Sequence, residues 1–128
     1  MAADAHEERD LSGVHWLTAT EISAAYAARR LSPVELVQSL LDRIATHDRQ
    51  LNAFITVDAE GALDAARQAE KEISAGRMRG SLHGVPIGVK DIVDIAGQPT
   101  TCHSKIMLNH VAHEDAQVIS HLRAAGAI

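Results

Sequence analysis

Aromatic side chains are almost missing from this sequence: Trp16, Tyr26 and Phe54 are the only three in 128 residues. A core of stacked rings is excluded, and the interior has to be assembled from Ala, Val, Leu and Ile, which dominate a 46% hydrophobic share. The single cysteine, Cys102, excludes an internal disulfide and fits a reducing compartment. No uncharged apolar run approaches the roughly 20 residues that a membrane span needs. Basic residues are in deficit, 12 Lys and Arg against 17 Asp and Glu, for a formal net charge of −5. That balance argues against nucleic acid or an anionic membrane as a standing partner, since both select for clustered Lys and Arg. The stretch from Met1 to Asp10 is acidic and polar, unlike a secretory or mitochondrial targeting signal. These absences point to a soluble, cytoplasmic protein, long enough to bury roughly two-thirds of its unfolded surface in one domain.

What is present reads as helices with short extended pieces between them. Thr18 with Glu21 three residues on forms a capping box, with Leu17 and Ile22 at the staple positions, and the helix continues through Ala-rich sequence to about Arg30. Ser32-Pro33-Val34-Glu35 starts a second helix with a Ser cap, Pro at the first helical position and Glu at the third. Leu36, Val37, Leu40, Leu41 and Ile44 then line one face at helical spacing. Ala53-Phe54-Ile55-Thr56-Val57 has the composition of a short strand. A third helix is expected from about Ala59 to Ala75, with Ala62, Ala66, Ala69 and Ile73 on its packed side and Gly76 as its stop. A last helix is expected from about Asp115 to Ala125, with Val118, Ile119 and Leu122 inward and Gly126 closing it, before a strand starting at Ala127-Ile128. Strands interleaved with helices predict an α/β fold.

Chemistry concentrates in the β-branched, glycine-punctuated run Gly84-Val85-Pro86-Ile87-Gly88-Val89-Lys90-Asp91-Ile92-Val93-Asp94. A lysine in such a run is costly to bury, so its stem snorkels to water, or it pairs with an acid such as Asp91 or Asp94, or it is kept neutral for a purpose. Taking a lysine from ~10.4 to ~7 requires about 4–5 kcal/mol of differential interaction. Full burial shifts a lysine by about 3–5 units, so a buried general base is within reach. A neutral lysine is useful chiefly beside a hydroxyl, and Thr100, Thr101 and Ser104 lie downstream.

Residues 83–104, His-Gly-Val-Pro-Ile-Gly-Val-Lys-Asp-Ile-Val-Asp-Ile-Ala-Gly-Gln-Pro-Thr-Thr-Cys-His-Ser, resemble the segment that carries the catalytic lysine in the amidase-signature family. Gly84, Pro86, Lys90, Asp91, Gly97, Thr100, Thr101 and Ser104 match its pattern of Gly-x-Pro-x-x-x-Lys-Asp, a later Gly, then Thr-Thr-x-Gly-Ser. The helix start at 31–36, Leu51-Asn52-Ala53-Phe54-Ile55, and the run from Asp115 through Leu122-Arg123-Ala124-Ala125-Gly126-Ala127 resemble further landmarks in the same order. One departure stands out: His103 occupies the position of the family's Gly before Ser104.

The resemblance implies a Ser–cis-Ser–Lys triad in which Lys90 deprotonates the bridging serine, with no metal or organic cofactor. It implies the N-terminal part of the family's mixed sheet covered by helices, with residues 1–16 a polar tail and 17–128 the start of the domain. The Gly/Ser-rich signature bearing both serines has no match in the chain, so these residues alone are expected to be inactive. The implied partners are a small-molecule amide substrate, the remaining C-terminal part of the same fold, or a second copy in a homodimer. Within the family, the glutamine-hydrolysing A subunit of a tRNA-dependent amidotransferase stays open beside a general amidase, and His103 tilts the choice towards the latter. A rival of another class is a small binding or interaction module, either through unpaired sheet edges or through metal held by Cys102, His103, His110 and His113, four potential ligands within twelve residues.

Overall fold

Reciprocal caps start the first two helices. The computed structural model describes residues 11–128, and the stretch Met1–Asp10 lies outside them. Helix α1 spans Ala19–Ala27, and α2 spans Pro33–Leu51. At α1, Glu21 N–H donates to Thr18 Oγ1 at 3.3 Å and Thr18 N–H donates back to Glu21 Oε2 at 2.7 Å. At α2 the Ser32/Glu35 exchange is 3.1 and 2.8 Å. Each such cap stabilises its helix by about 1 kcal/mol. The corner between them closes through Arg29 in the left-handed region, with Arg30 N–H donating to Ala25 O at 2.9 Å. Helix α3 spans Ala59–Ser74 and α4 spans Gln117–Ala124. The apolar stripe of α2 faces inward at its start: Leu36 and Val37 are buried, and Leu40, Leu41 and Ile44 are half-buried. Helix α3 packs against α2, with its alanines Ala66 and Ala69 buried. Upstream of α1, a single 3-10 turn at Val14–Trp16 inserts Val14 into the core with Ile22, Ala25, Leu31, Leu36 and Val85.

The sparse aromatics do not leave the core without a ring. Tyr26 is buried within it, whereas Trp16 and Phe54 are exposed. The Tyr26 hydroxyl donates to Gly84 O at 2.9 Å, joining residues 58 apart in sequence. Burial pushes the phenol well above its ordinary range, so it remains a donor throughout the accessible pH range. Gly84 is in the left-handed region at φ 79°, and a Cβ there would stand 2.9 Å from Pro33 Cγ and 3.1 Å from Tyr26 Cε2. Only glycine lets the chain pass this close to the start of α2.

Three sequence expectations fail here. The α/β arrangement is not realised within the described residues, where pairing amounts to one isolated antiparallel bridge, Pro99 with Val111. Ala53–Val57, expected as a strand, is irregular and exposed throughout. Asn52, left-handed at φ 50°, ends α2, and Asp48 Oδ1 then accepts from Ala53 N–H and Phe54 N–H, so backbone groups that a ladder would use are bound locally. Val118 is exposed rather than inward, and only Ile119 of α4 is buried. The β-branched run from Gly84 pairs with the last described residue at one point: Ile128 N–H donates to Val85 O at 2.9 Å and Ile87 N–H donates to Ile128 O at 2.8 Å. One residue bonding to two positions that flank a third is the parallel pairing pattern. Two such bonds to a single residue are too few to make a strand.

A second buried group ties α3 to the glycine turn. His83 is 1% exposed. Its Nδ1 accepts from Arg79 N–H at 3.1 Å, so the proton sits on Nε2, which faces Glu72 Oε2 at 3.2 Å. Arg79 grips the same carboxylate through Nε and Nη2, both at 3.0 Å, and Gln68 adds a bond of 2.8 Å. Gly126 packs on the ring, where a Cβ would approach Cδ2 to 2.5 Å. Burial first, and then the Arg79 charge, push the imidazole below its ordinary pKa, against the pull of Glu72. Glu72 itself is held below the usual carboxylate range, chiefly by Gln68 and then Arg79.

Unfolding measurements test both ties. Tyr26→Phe leaves the Gly84 carbonyl without its donor and is expected to cost roughly 1–3 kcal/mol in urea unfolding. Gly84→Ala adds backbone strain to overpacking and is expected to cost roughly 2–4 kcal/mol. Because His83 is lowered in the folded state, the unfolded chain takes its proton first as pH falls. Its contribution is full above about 6.5, the unfolded value, and is lost as pH drops through the folded pKa. Glu72 loses its contribution only in the carboxylate range, near about 4.3 and below. His83→Gln should therefore flatten the stability–pH curve between those two ranges, as thermal unfolding across a pH series would report.

Candidate functional site around Lys90

Lys90 ends the extended run that begins at Gly84. Behind it, Ile87 is anchored to Ile128, and ahead of it the chain reverses, with the Lys90 carbonyl accepting from Ile92 N–H at 2.7 Å and Val93 N–H at 3.0 Å. The side chain is exposed and has no ion-pair or hydrogen-bond partner among the described residues. The burial expected for a neutral lysine is therefore not supplied by the described residues, and neither Asp91 nor Asp94 pairs with it. Ile87, Val89 and Ile92 around it are exposed as well, Ile92 to 61%. A cleft of about 180 Å³ lies instead beside His83, lined by Glu72, Arg79, Arg123 and Ile128 but not by Lys90.

Asp91 is engaged elsewhere. Thr101 N–H donates to its Oδ1 at 2.7 Å, the Thr101 hydroxyl donates to Oδ2, and Cys102 N–H donates to its main-chain carbonyl at 2.9 Å. The Thr101 hydroxyl first, and then the Thr101 amide, hold the carboxyl below its usual range, so it is an ionised, acceptor-only group. Cys102 and His103 both adopt left-handed backbone, at φ 50° and 53°. Their turn is closed by Ser104 N–H donating to Thr101 O at 2.8 Å and by His103 N–H donating to Thr101 Oγ1 at 3.2 Å. Thr100 is buried and its hydroxyl has no partner among the described residues. On the far side, Thr100 N–H donates to His110 O at 3.1 Å and Ala112 N–H to Gln98 O at 3.1 Å, forming the antiparallel corner around Pro99 and Val111.

The two groups of residues picked out by spacing fare differently. Lys90, Asp91, Thr101 and Ser104 fall on two loops tied directly together. Cys102, His103, His110 and His113 do not converge: among the described residues no three His, Cys, Asp or Glu side chains are placed to hold a metal ion. Sequence reasoning missed the bonds from Asp91 to Thr101 and the Glu72–His83–Arg79 network. The proximity of Asp91 to Lys90 in sequence suggests an ion pair, and nothing local announces a partner ten residues away. No helix of the described residues is long and apolar enough to cross a membrane.

Comparison with known proteins gives one consistent result. The family described as Amidase matches residues 35–128. The chain is 50% identical over 109 residues to the A subunit of the glutamyl-tRNA(Gln) amidotransferase of Aromatoleum aromaticum, covering 85% of this chain and 22% of that protein. It is 36% identical over 115 residues to an acylamidase of Rhodococcus erythropolis, covering 90% and 24%. The native peptide amidase of Stenotrophomonas maltophilia superimposes with a TM-score of 0.80 at 34% identity, over 86% of this chain and 23% of that one. The chain thus spans a little under a quarter of each of these relatives.

The left-handed pair makes a prediction of its own. Histidine at φ 53° costs about 1–2 kcal/mol that glycine avoids, against roughly 0.5–1 kcal/mol of extra chain entropy for glycine. His103→Gly should stabilise the fold by about 0.5–1 kcal/mol, seen as a higher thermal midpoint. An unchanged or lower midpoint would mean that the His103 side chain makes up for its backbone.

Proposed function

This chain belongs to the amidase family, and we propose that it supplies the lysine-bearing segment of an amide hydrolase that works through a Ser–cis-Ser–Lys triad. Lys90 is the general base. It takes the proton of the bridging serine, which activates the nucleophilic serine. That serine adds to the amide carbonyl, the amine or ammonia leaves, and water releases the acid. Backbone amides beside the serines stabilise the oxyanion.

The observation that carries this reading is the placement of Lys90: an unpaired lysine fixed at both ends of its backbone, inside a matched family segment, and on a face rich in exposed apolar side chains. The burial that a neutral lysine needs has to come from protein packed over Ile87, Val89 and Ile92. The two serines have no counterpart in the family pattern within residues 1–128, so the chain by itself does not turn over. The substrate is a small carboxamide. A second reading, the glutamine-hydrolysing component of a tRNA-dependent amidotransferase, is favoured by the 50% identity to the Aromatoleum aromaticum protein. His103 in place of the family's glycine weighs the other way, towards a general amidase.

In a polypeptide that contains this chain and hydrolyses amides, Lys90→Ala is expected to lower kcat by about a thousandfold or more while the protein stays folded by circular dichroism. Retention of activity in that variant would remove Lys90 from the mechanism. Parallel assays on glutamine and on a simple aryl or aliphatic amide separate the two substrate readings. The 128-residue chain assayed alone should show no hydrolysis above buffer.

A further inference from the structure

We infer that Asp91 is a positioning residue for Lys90, acting through Thr101 as a clamp on the lysine loop rather than as the counter-ion of the lysine. The inference rests on the reading of Lys90 as the base. Three hydrogen bonds join residue 91 to residues 101 and 102: both carboxylate oxygens accept from Thr101, and the Asp91 carbonyl accepts from Cys102 N–H. Both oxygens are turned to Thr101, the carboxylate makes no ion pair with the lysine next to it, and the Lys90 side chain stays unpartnered among the described residues. Such an arrangement suits a base. A carboxylate held against an ammonium favours the charged form, and would oppose the deprotonation that the chemistry requires.

The clamp is also placed where it controls position. Lys90 lies three residues past Ile87, which is anchored to Ile128, and one residue before the clamp, with its own carbonyl taken by two amides of the following turn. The backbone on either side of the lysine is thus fixed, while four methylenes and an ammonium remain free to reach a hydroxyl. Thr101 is held at Asp91 by a turn of two consecutive left-handed residues, neither of them glycine. Holding that conformation is unfavourable unless the bonds it permits compensate. An ionised aspartate is suited to the task because Thr101 presents two donors, N–H and O–H, and a carboxylate offers two acceptors. Asparagine would turn an NH₂ towards one of those donors.

The test has two arms. In a hydrolytically competent polypeptide containing this chain, Asp91→Asn and Thr101→Val should each lower kcat about ten- to hundredfold with KM unchanged. The pH at which kcat/KM rises should stay where it is in the parent, and Thr101→Ser, which keeps the hydroxyl, should restore most of the rate. A counter-ion role would do the opposite: Asp91→Asn would move the acid limb of the pH profile and spare the plateau rate, and that result, or unchanged rates in both variants, overturns the inference. In the 128-residue chain, amide hydrogen exchange at Thr101 and Cys102 should speed up by about tenfold or more in Asp91→Asn, with the amides of α2 unaffected. Unchanged exchange at those two amides overturns the clamp itself, whatever the activity arm reports. Activity surviving Lys90→Ala would instead defeat the reading of Lys90, and the exchange arm would still decide the clamp.

Discussion

The hydrogen bond from the Tyr26 hydroxyl to the Gly84 carbonyl holds the two halves of this structure together. Upstream of it lies a helical core that assembles from local signals: two capped helices, a tight corner and a third helix laid across the second. Downstream lies a stretch of mostly irregular chain that carries Lys90. Of Trp16, Tyr26 and Phe54 only Tyr26 is placed in the interior, and its hydroxyl would be an expensive orphan there if Gly84 did not bring a bare carbonyl to it. Gly84 in turn fits because a side chain would strike Pro33, the residue that opens α2. The first residue of one helix, the ring of another and the start of the lysine segment are thus a single packing problem.

From Gly84 the chain is tethered at successive points rather than packed in bulk. His83 docks it to α3 through Glu72 and Arg79, Ile87 is bound to Ile128, and Asp91 is bound to Thr101. These are polar ties, directional and few. They set backbone position well and bury little apolar surface, which is why Ile87, Val89 and Ile92 remain exposed while the lysine among them is fixed in place but not desolvated. Positioning and desolvation are separate requirements of a lysine base. Around Lys90 the hydrogen bonds fix the backbone, and the described residues leave the side chain exposed.

Helices were legible in the sequence because their determinants are local. A hydroxyl three residues before a glutamate, a proline after a serine and apolar residues at intervals of three and four are sufficient reasons for α1 and α2 to begin where they do. The alanine face of α3 was legible for the same reason. Strands were not. Phe54, Ile55 and Val57 have the right chemistry for a sheet, but a strand exists only when another segment pairs with it, and Asp48 engages the backbone there first. Ile119 and Val118 are neighbours with similar side chains, yet one is buried and the other exposed, because a helix of eight residues has too little periodicity to define its inner face.

Residue types at short spacing were enough to specify the helical scaffold, and the resemblance of residues 83–104 to the amidase-signature segment was enough to single out the family and to draw attention to Lys90. What that lysine touches could be settled only by the folded chain. Asp91 is its covalent neighbour and the obvious ion-pair partner, yet folding delivers Thr101 to that carboxylate and leaves Lys90 unpaired among the described residues. The histidines and cysteine that lie close together in sequence are likewise left apart as ligands. The physical reason is common to both cases: hydrogen bonds and ion pairs are won by whichever group the backbone brings within about 3 Å, and separation along the chain does not measure that distance.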